Sequence, residues 1–132
     1  MYALLINHTD ERRSKMTDTI QIYHNPRCSK SRQTLALIEE QNIQPEIILY
    51  LENTPTAETL SGLLKKLNIS ARELLRKGEQ DYKDNKLNDT NLSEQDLIVK
   101  MTQFPKLIER PIVVKGDQAI LGRPPENVKG LL

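Results

Sequence analysis

The residue best suited to covalent chemistry in this sequence is its one cysteine, Cys28, which follows a strand-like segment and precedes a helical pattern. A thiol at the start of a helix lies among unpaired backbone N–H groups, where the helix dipole favours negative charge. Nearby cations strengthen this effect, and Arg27, Lys30 and Arg32 flank the cysteine. We therefore expect Cys28 to be a nucleophilic thiolate at neutral pH.

The same amides and cations would also receive an oxyanion, so one site could activate the nucleophile and hold its target. Structural alternatives exist for each residue. A lone cysteine is most often a small buried apolar side chain, and His24 either adds positive charge or bonds a loop carbonyl. Lys30 and Arg32 could form a solvated helix face, which we favour for Lys30. The polar and basic flanks of Cys28 favour the chemical interpretation of the cysteine.

The spacing around Cys28 excludes two known kinds of thiol site. A thioredoxin-type Cys-x-x-Cys motif needs a cysteine where Ser31 stands. A phosphatase-type loop needs an arginine where Thr34 stands. One cysteine and two histidines, His8 and His24, do not have the spacing of metal ligands. We expect no bound metal and no intrachain disulfide, so a working thiol needs a partner from outside the chain.

Composition places these residues in one domain of modest size. The chain has 132 residues and a formal net charge of +1, which favours neither nucleic acid nor an anionic membrane as partner. No apolar run approaches the ~20 residues of a membrane span. Residues 1–15 lack the features of a secretory signal, and Met16 is an alternative start. We expect 1–15 to be a disordered extension or an over-long gene start, and 16–132 to form one domain in the reducing cytoplasm.

The elements that position the cysteine begin with a βαβ unit. Alternating apolar residues predict a strand over 19–23, a helix follows and ends near Asn42, and 45–50 predicts a second strand. Because a whole helix connects the two strands, we expect them to be parallel.

Three more helices and a hairpin are predicted downstream. Helical spacing of Leu60, Leu63, Leu64 and Leu67 predicts one apolar face of a helix, and Ser70 begins a short helix that extends through Leu75. Residues 77–92 are predicted to be mostly loop, and Ser93 caps the third helix. Residues 111–121 predict an antiparallel hairpin, and 124–132 allow a short terminal helix. The order β-α-β-α-α-α-β-β-α predicts an α/β fold with a mixed four-stranded sheet flanked by helices.

Five segments resemble the glutaredoxin-dependent arsenate reductase family, in order and at compatible spacings from about residue 19 to residue 128. They are Tyr-His-Asn-Pro-Arg-Cys-Ser-Lys-Ser-Arg, Ile-Leu-Tyr-Leu-Glu-Asn-Thr-Pro, Ala-Arg-Glu-Leu-Leu-Arg-Lys, Glu-Arg-Pro-Ile-Val-Val and Gly-Arg-Pro-Pro-Glu. The resemblance implies a thioredoxin-like core with an inserted helical segment. It also implies that the family's nucleophile falls on Cys28 and its cysteine-activating histidine on His24.

The resemblance further implies that three anion-binding arginines fall on Arg76, Arg110 and Arg123, which would otherwise be read as surface charges. Arginine suits this task because its rigid, charged fork donates paired bonds to an oxyanion. Ser31 and Arg32, in the cysteine loop, are expected to contact the anion or its thiol adduct. The peptide bond from Arg110 to Pro111 takes the place of the thioredoxin-like cis-proline, so we expect it to be cis.

The implied mechanism begins with attack of the Cys28 thiolate on arsenate or a similar oxyanion. Glutathione then attacks arsenic as co-substrate, and reduction to arsenite leaves a mixed disulfide between Cys28 and glutathione. Glutaredoxin resolves this disulfide, which agrees with a chain that has one thiol.

Two departures from the family pattern indicate a sister branch. Ser29-Lys30 stands where the best-known reductases have Gly-Thr, and the sequence stops at Leu132, before the end of their C-terminal tail. Two alternatives therefore stay open: a glutathione-linked reductase of another substrate, and a redox-responsive regulator of the same fold. The regulators typically carry a Cys-x-x-Cys switch and would not need the arginines, so Ser31 argues against them.

Overall fold

Four strands form one mixed sheet in the computed structural model, which describes residues 19–132. The strands are β1 (Ile20–Tyr23), β2 (Glu46–Ile48), β3 (Ile112–Lys115) and β4 (Gln118–Leu121), in the spatial order β2-β1-β3-β4. β1 and β2 are parallel, and the other neighbours are antiparallel. The predicted βαβ unit, hairpin and mixed four-stranded sheet are confirmed. The extension predicted for residues 1–15 lies outside the described residues, as does His8.

The helices lie between and after these strands. They are α1 (Ser29–Glu40), α2 (Ala57–Leu67), α3 (Ala71–Leu74), α4 (Gln80–Asp84) and α5 (Glu94–Gln103), with 3-10 turns at Pro105–Leu107 and Pro125–Gly130. Within residues 19–132 no helix is long and apolar enough to cross a membrane.

The insertion between β2 and β3 contains four α-helices, where the sequence predicted three. The additional helix, α4, lies within the segment 77–92 that was predicted to be mostly loop. Its side chains are at most partly buried and no side chain caps it, so it leaves no apolar periodicity in the sequence. The predicted terminal helix is a 3-10 turn.

Successive side chains of a strand point to opposite faces of the sheet, so the apolar core has one part on each face. On β3, Ile112 and Val114 pack into the cluster formed with the helical insertion. Val113 points to the opposite face, where it joins Ile22 and Ile38 of α1 in a second cluster. The sheet is therefore covered on both faces, which fixes the ends of β1 and β3 relative to α1.

Two serine caps begin inserted helices where the sequence predicts them. Ser70 and Ser93 each form a complete capping box, with Glu73 and Asp96 as the reciprocal partners. Asn68 ends α2 in the left-handed conformation, with φ of 57°. Helix α3 is therefore a single short turn that begins after Ser70 and ends at Leu74, one residue before the predicted end.

A short backbone pairing ties the insertion to the segment before β3. Leu75 and Ile108 form an isolated antiparallel bridge. On either side of it, Arg76 N donates to Leu107 O at 2.8 Å, and Glu109 N donates to Leu74 O at 3.0 Å. We call this the insertion bridge, residues 74–76 with 107–109.

Candidate active site

Cys28 is the N-cap residue of α1 and ends the loop that follows β1. Its backbone is extended, with φ of −95° and ψ of 123°, and no side chain caps the helix. The first turn of α1 contains no acidic residue. The cysteine is 8% exposed. The thiol therefore lies at the positive end of an uncapped helix whose first turn has no acidic side chain.

Hydrogen bonds fix the loop that precedes the cysteine. His24 N donates to Ile48 O of β2 at 2.9 Å, and Cys28 N donates to Asn25 O at 3.0 Å. The buried hydroxyl of Ser31 lies 2.6 Å from His24 Nδ1 and accepts a hydrogen bond from Asn25 N at 3.1 Å. Ser31 thus occupies the place of a second cysteine and holds the loop together.

His24 favours its neutral form. Burial lowers its pKa below the ordinary value of 6.5, and the positive charge of Arg32 lowers it further, against an opposite effect of Glu39. The positive charge that the sequence left open for His24 is therefore disfavoured. The activating role implied by the resemblance stays a prediction.

The three arginines named from the resemblance converge in the structure. Glu109 Oε1 lies 3.5 Å from Arg76 Nε, 3.7 Å from Arg110 Nη1 and 3.6 Å from Arg123 Nε. Arg123 Nη1 lies 4.0 Å from Cys28 Sγ. We call Arg76, Arg110 and Arg123 the arginine cluster. It forms a positive surface beside the thiol, with Glu109 at its centre.

Different parts of the fold deliver the members of this cluster. Arg76 comes from the insertion, and the insertion bridge places it beside Glu109. Arg110 and Arg123 leave the same end of the β3–β4 hairpin, because Gly122 N donates to Pro111 O at 2.9 Å just beyond the last strand pair. The Arg110–Pro111 peptide is cis, as predicted, and the Arg123–Pro124 peptide is cis as well.

Close packing at Gly122 sets the distance between the hairpin and α1. Thr34 Oγ1 of α1 donates to Gly122 O at 3.3 Å. A Cβ atom at position 122 would lie 2.8 Å from Pro111 Cγ and closer still to Thr34 Oγ1. Glycine is therefore required for this approach, which brings the next residue, Arg123, over the N-terminus of α1.

The guanidinium of Arg110 retains unused hydrogen-bond donors. Its side chain is 14% exposed, and its Nε and Nη1 atoms are buried without a hydrogen-bond partner among the described residues. The ion-pair distances to Glu109 exceed the roughly 2.7–3.2 Å of a good N–H···O bond. Because buried donors without acceptors are costly, this arrangement suits an added oxyanion.

Arg32 has a different position from the cluster. Its exposed guanidinium donates through Nη1 to Pro26 O at 2.9 Å, so it braces the cysteine loop. Arg27 and Lys30 are exposed on the same loop and helix. The anion contact predicted for Arg32 and Ser31 stays a prediction.

Sequence reasoning did not single out two residues at the site, Glu109 and Tyr50. Burial raises the pKa of Tyr50 to about 12; nearby Arg76 opposes this shift, and the negative charges of Cys28 and Glu109 add to it. Both residues lie within segments that carry the resemblance, Glu-Arg-Pro and Leu-Tyr-Leu. Their position in those segments was the available signal, since neither has a spacing that predicts chemistry by itself.

A cleft of about 290 Å³ opens beside the cluster. Four cationic side chains line it, those of Arg27, Arg76, Lys106 and Arg110. The other lining residues are Asn25, Tyr50, Leu51 and Glu79. Across residues 19–132 no three His, Cys, Asp or Glu side chains group closely enough to hold a metal ion. The site is therefore a thiol at a helix N-terminus beside an arginine cluster and a cationic cleft.

Comparison with known proteins gives one consistent result. The sequence profile of the ArsC family matches residues 23–131. An arsenate reductase of Haemophilus influenzae is 45% identical over 115 residues, covering 86% of this chain and 99% of that protein. The uncharacterized protein YfgD of Escherichia coli is 55% identical over 114 residues, covering 86% of this chain and 96% of that protein. The structure of an arsenate reductase from Vibrio cholerae superposes with a TM-score of 0.85 at 50% identity, covering 86% and 98%.

Proposed function

Because this chain belongs to the ArsC family, whose thioredoxin-like fold it shares, we propose that it reduces arsenate to arsenite with glutathione as co-substrate and glutaredoxin as partner. The observation that carries this proposal is the convergence of Arg76, Arg110 and Arg123 beside the Cys28 sulfur. A thiol alone would serve many reactions. A thiol that lies next to Arg123, a member of the arginine cluster, is suited to attack an oxyanion that the cluster binds.

The arginine cluster binds the substrate and stabilises the charge that develops during attack. The free donors of Arg110 supply hydrogen bonds to an arsenate oxygen. Arg123 contacts both the thiol and the rest of the cluster, so it holds arsenic within reach of the sulfur. Pre-positioned donors of this kind lower the barrier without reorganising in the reaction.

The first step is a substitution at arsenic. The Cys28 thiolate forms an S–As bond, and one arsenate oxygen leaves as water after taking up protons from solvent. Arsenic remains As(V) in this adduct. The Cys28 thiol lies at the uncapped N-terminus of α1, and the Ser31 hydroxyl and neutral His24 hold the loop in place.

The second step is the reduction. The glutathione thiol forms another S–As bond and displaces a further oxygen as water. The two sulfurs then form one S–S bond as both S–As bonds break. One electron pair of the broken bonds becomes the S–S bond and the other stays on arsenic, which converts As(V) to As(III). The As(III) species takes up water and departs as arsenite, and Cys28 remains in a mixed disulfide with glutathione. A glutaredoxin thiolate attacks the glutathione sulfur and releases the Cys28 thiolate.

The cationic cleft supports glutathione as the co-substrate. Glutathione carries two carboxylates and one ammonium group, and the side chains of Arg27 and Lys106 line the cleft with two arginines of the cluster. Its thiol would approach Cys28 from this side. A reducing cytoplasm would supply glutathione and keep the single thiol reduced.

The test is an arsenate-dependent NADPH oxidation assay with glutathione, glutaredoxin and glutathione reductase. We expect turnover for the wild type, none for Cys28→Ser, and wild-type turnover for Ser29→Ala, the exposed neighbour. Omission of glutathione or of glutaredoxin should each stop turnover. Equal rates for the wild type and Cys28→Ser would refute arsenate reduction, and unchanged rates without glutaredoxin would refute that partner alone.

A further inference from the structure

Glu109 stands out because one of its carboxylate oxygens contacts all three members of the arginine cluster. Oε1 lies 3.5 to 3.7 Å from the three guanidinium groups. The same oxygen accepts a hydrogen bond from Arg110 N at 3.2 Å, so the backbone holds it in place. An oxyanion that bridges the cluster must therefore lie against Glu109.

A carboxylate in this position distinguishes oxyanions by their protons. It accepts hydrogen bonds and donates none. Hydrogen arsenate and hydrogen phosphate keep one O–H group, which can donate to Glu109 while the other oxygens accept from the arginines. Sulfate has the same shape and charge but no proton, so one of its oxygens would face the Glu109 oxygen with both bearing only lone pairs.

We propose that Glu109 is a specificity-determining residue that makes the arginine cluster select oxyanions carrying an O–H group and reject those without one. This inference rests on the proposed function, since it assumes that the cluster binds the substrate. It assigns to Glu109 a direct contact with the anion. The long ion-pair distances are consistent with this role, because they leave the arginine donors free for the anion.

Glu79 is the matched control. It forms an ion pair with Arg76 at 3.3 Å, and its side chain is 27% exposed, against 26% for Glu109. It reaches one arginine of the cluster by ion pairing, whereas Glu109 reaches three. Removing either charge lowers the negative charge near the site by the same amount, but Glu109→Gln alone removes the central acceptor.

The experiment measures how inorganic phosphate and sulfate slow the alkylation of Cys28 by iodoacetamide. It is run at about pH 8, above the second ionisation of phosphate, so that both anions carry two charges and differ in the proton. The concentration dependence gives a dissociation constant for each anion. We expect the wild type and Glu79→Gln to prefer phosphate, and Glu109→Gln to reduce that preference about tenfold, mainly through tighter sulfate binding.

The other outcomes overturn the proposal in distinguishable ways. If Glu109→Gln weakens the binding of both anions equally, Glu109 merely holds the arginines together. If it strengthens the binding of both anions equally, or if Glu79→Gln has the same effect, the carboxylate acts only through its negative charge. In each of these cases arsenate reduction by the wild type would still support the proposed function. If neither anion protects Cys28 in the wild type, the anion site itself is refuted, and this inference with it.

Discussion

Arg123 Nη1 lies 4.0 Å from Cys28 Sγ, although 95 positions separate the two residues in the chain. The same nitrogen donates to Arg110 O at 3.3 Å, and Arg123 Nε lies 3.6 Å from Glu109. Arg123 therefore joins the thiol to the arginine cluster. Under the proposed function, an anion bound by the cluster and the Cys28 nucleophile would share this one side chain.

We expect Arg123→Lys to lower kcat/KM for arsenate by about tenfold to a hundredfold, the effect of losing a charged hydrogen bond. Lysine keeps the charge but cannot contact the thiol and the anion with one planar fork. Steady-state kinetics in the coupled assay measure the change. Arg72→Lys is the control, because Arg72 donates to Leu87 O and Asp89 O within the insertion. Unchanged kinetics for Arg123→Lys would contradict a substrate contact.

We expect Gly122→Ala to lower the free energy of unfolding by about 1–3 kcal/mol, because the added methyl group overlaps Thr34 and Pro111. It should also reduce activity, since the strain displaces the adjacent Arg123. Gly62→Ala is the matched control: a Cβ there meets nothing within 4 Å, and the residue lies inside α2. This variant should gain about 0.5–1 kcal/mol. Urea unfolding measures both, and equal effects would contradict the packing argument.

The free energy of unfolding should fall as the pH drops below 6.5. Burial and Arg32 hold the pKa of His24 below 6.5 in the folded protein, so the unfolded chain binds its proton at higher pH. The contribution of His24 is therefore complete above 6.5 and is lost as the pH falls through the lower folded pKa. Urea unfolding at a series of pH values measures the slope. His24→Gln should flatten it, and an unaltered slope would count against His24 as its source.

Ser31→Ala should lower the free energy of unfolding by about 1–3 kcal/mol, because it leaves His24 Nδ1 and Asn25 N without their buried partner. Ser29→Ala, at the exposed first residue of α1, serves as the control. Thermal or urea unfolding measures both variants. A Ser31→Ala protein as stable as the Ser29→Ala protein would show that the hydroxyl does not hold the loop.

The fold was predictable because its signals are local. Alternating residues on β1, the leucines of α2 and the Ser70 and Ser93 caps each act within a few positions of the chain, and the structure confirms them. The helix α4 was missed because none of its side chains is fully buried and it has no amphipathic pattern.

The site was less accessible to residue patterns alone. The surroundings of Cys28 pointed to a nucleophile, since they lie within one loop. The convergence of Arg76 with Arg110 depends on the insertion bridge, a backbone pairing between distant segments that no local pattern encodes. The resemblance to a family supplied these positions. Glu109 was passed over because an acidic residue beside an arginine is common on any protein surface.

The insertion bridge has a consequence for how substrate and folding are linked. Under the proposed function, an oxyanion held by Arg76 on one side and by Arg110 and Arg123 on the other would connect the helical insertion to the hairpin reversibly. A ligand that binds only the folded state adds about 2.7 kcal/mol of stability at 100 times its Kd. The amide protons of Arg76 and Glu109, which donate across the bridge, are where bound anion should slow hydrogen exchange most.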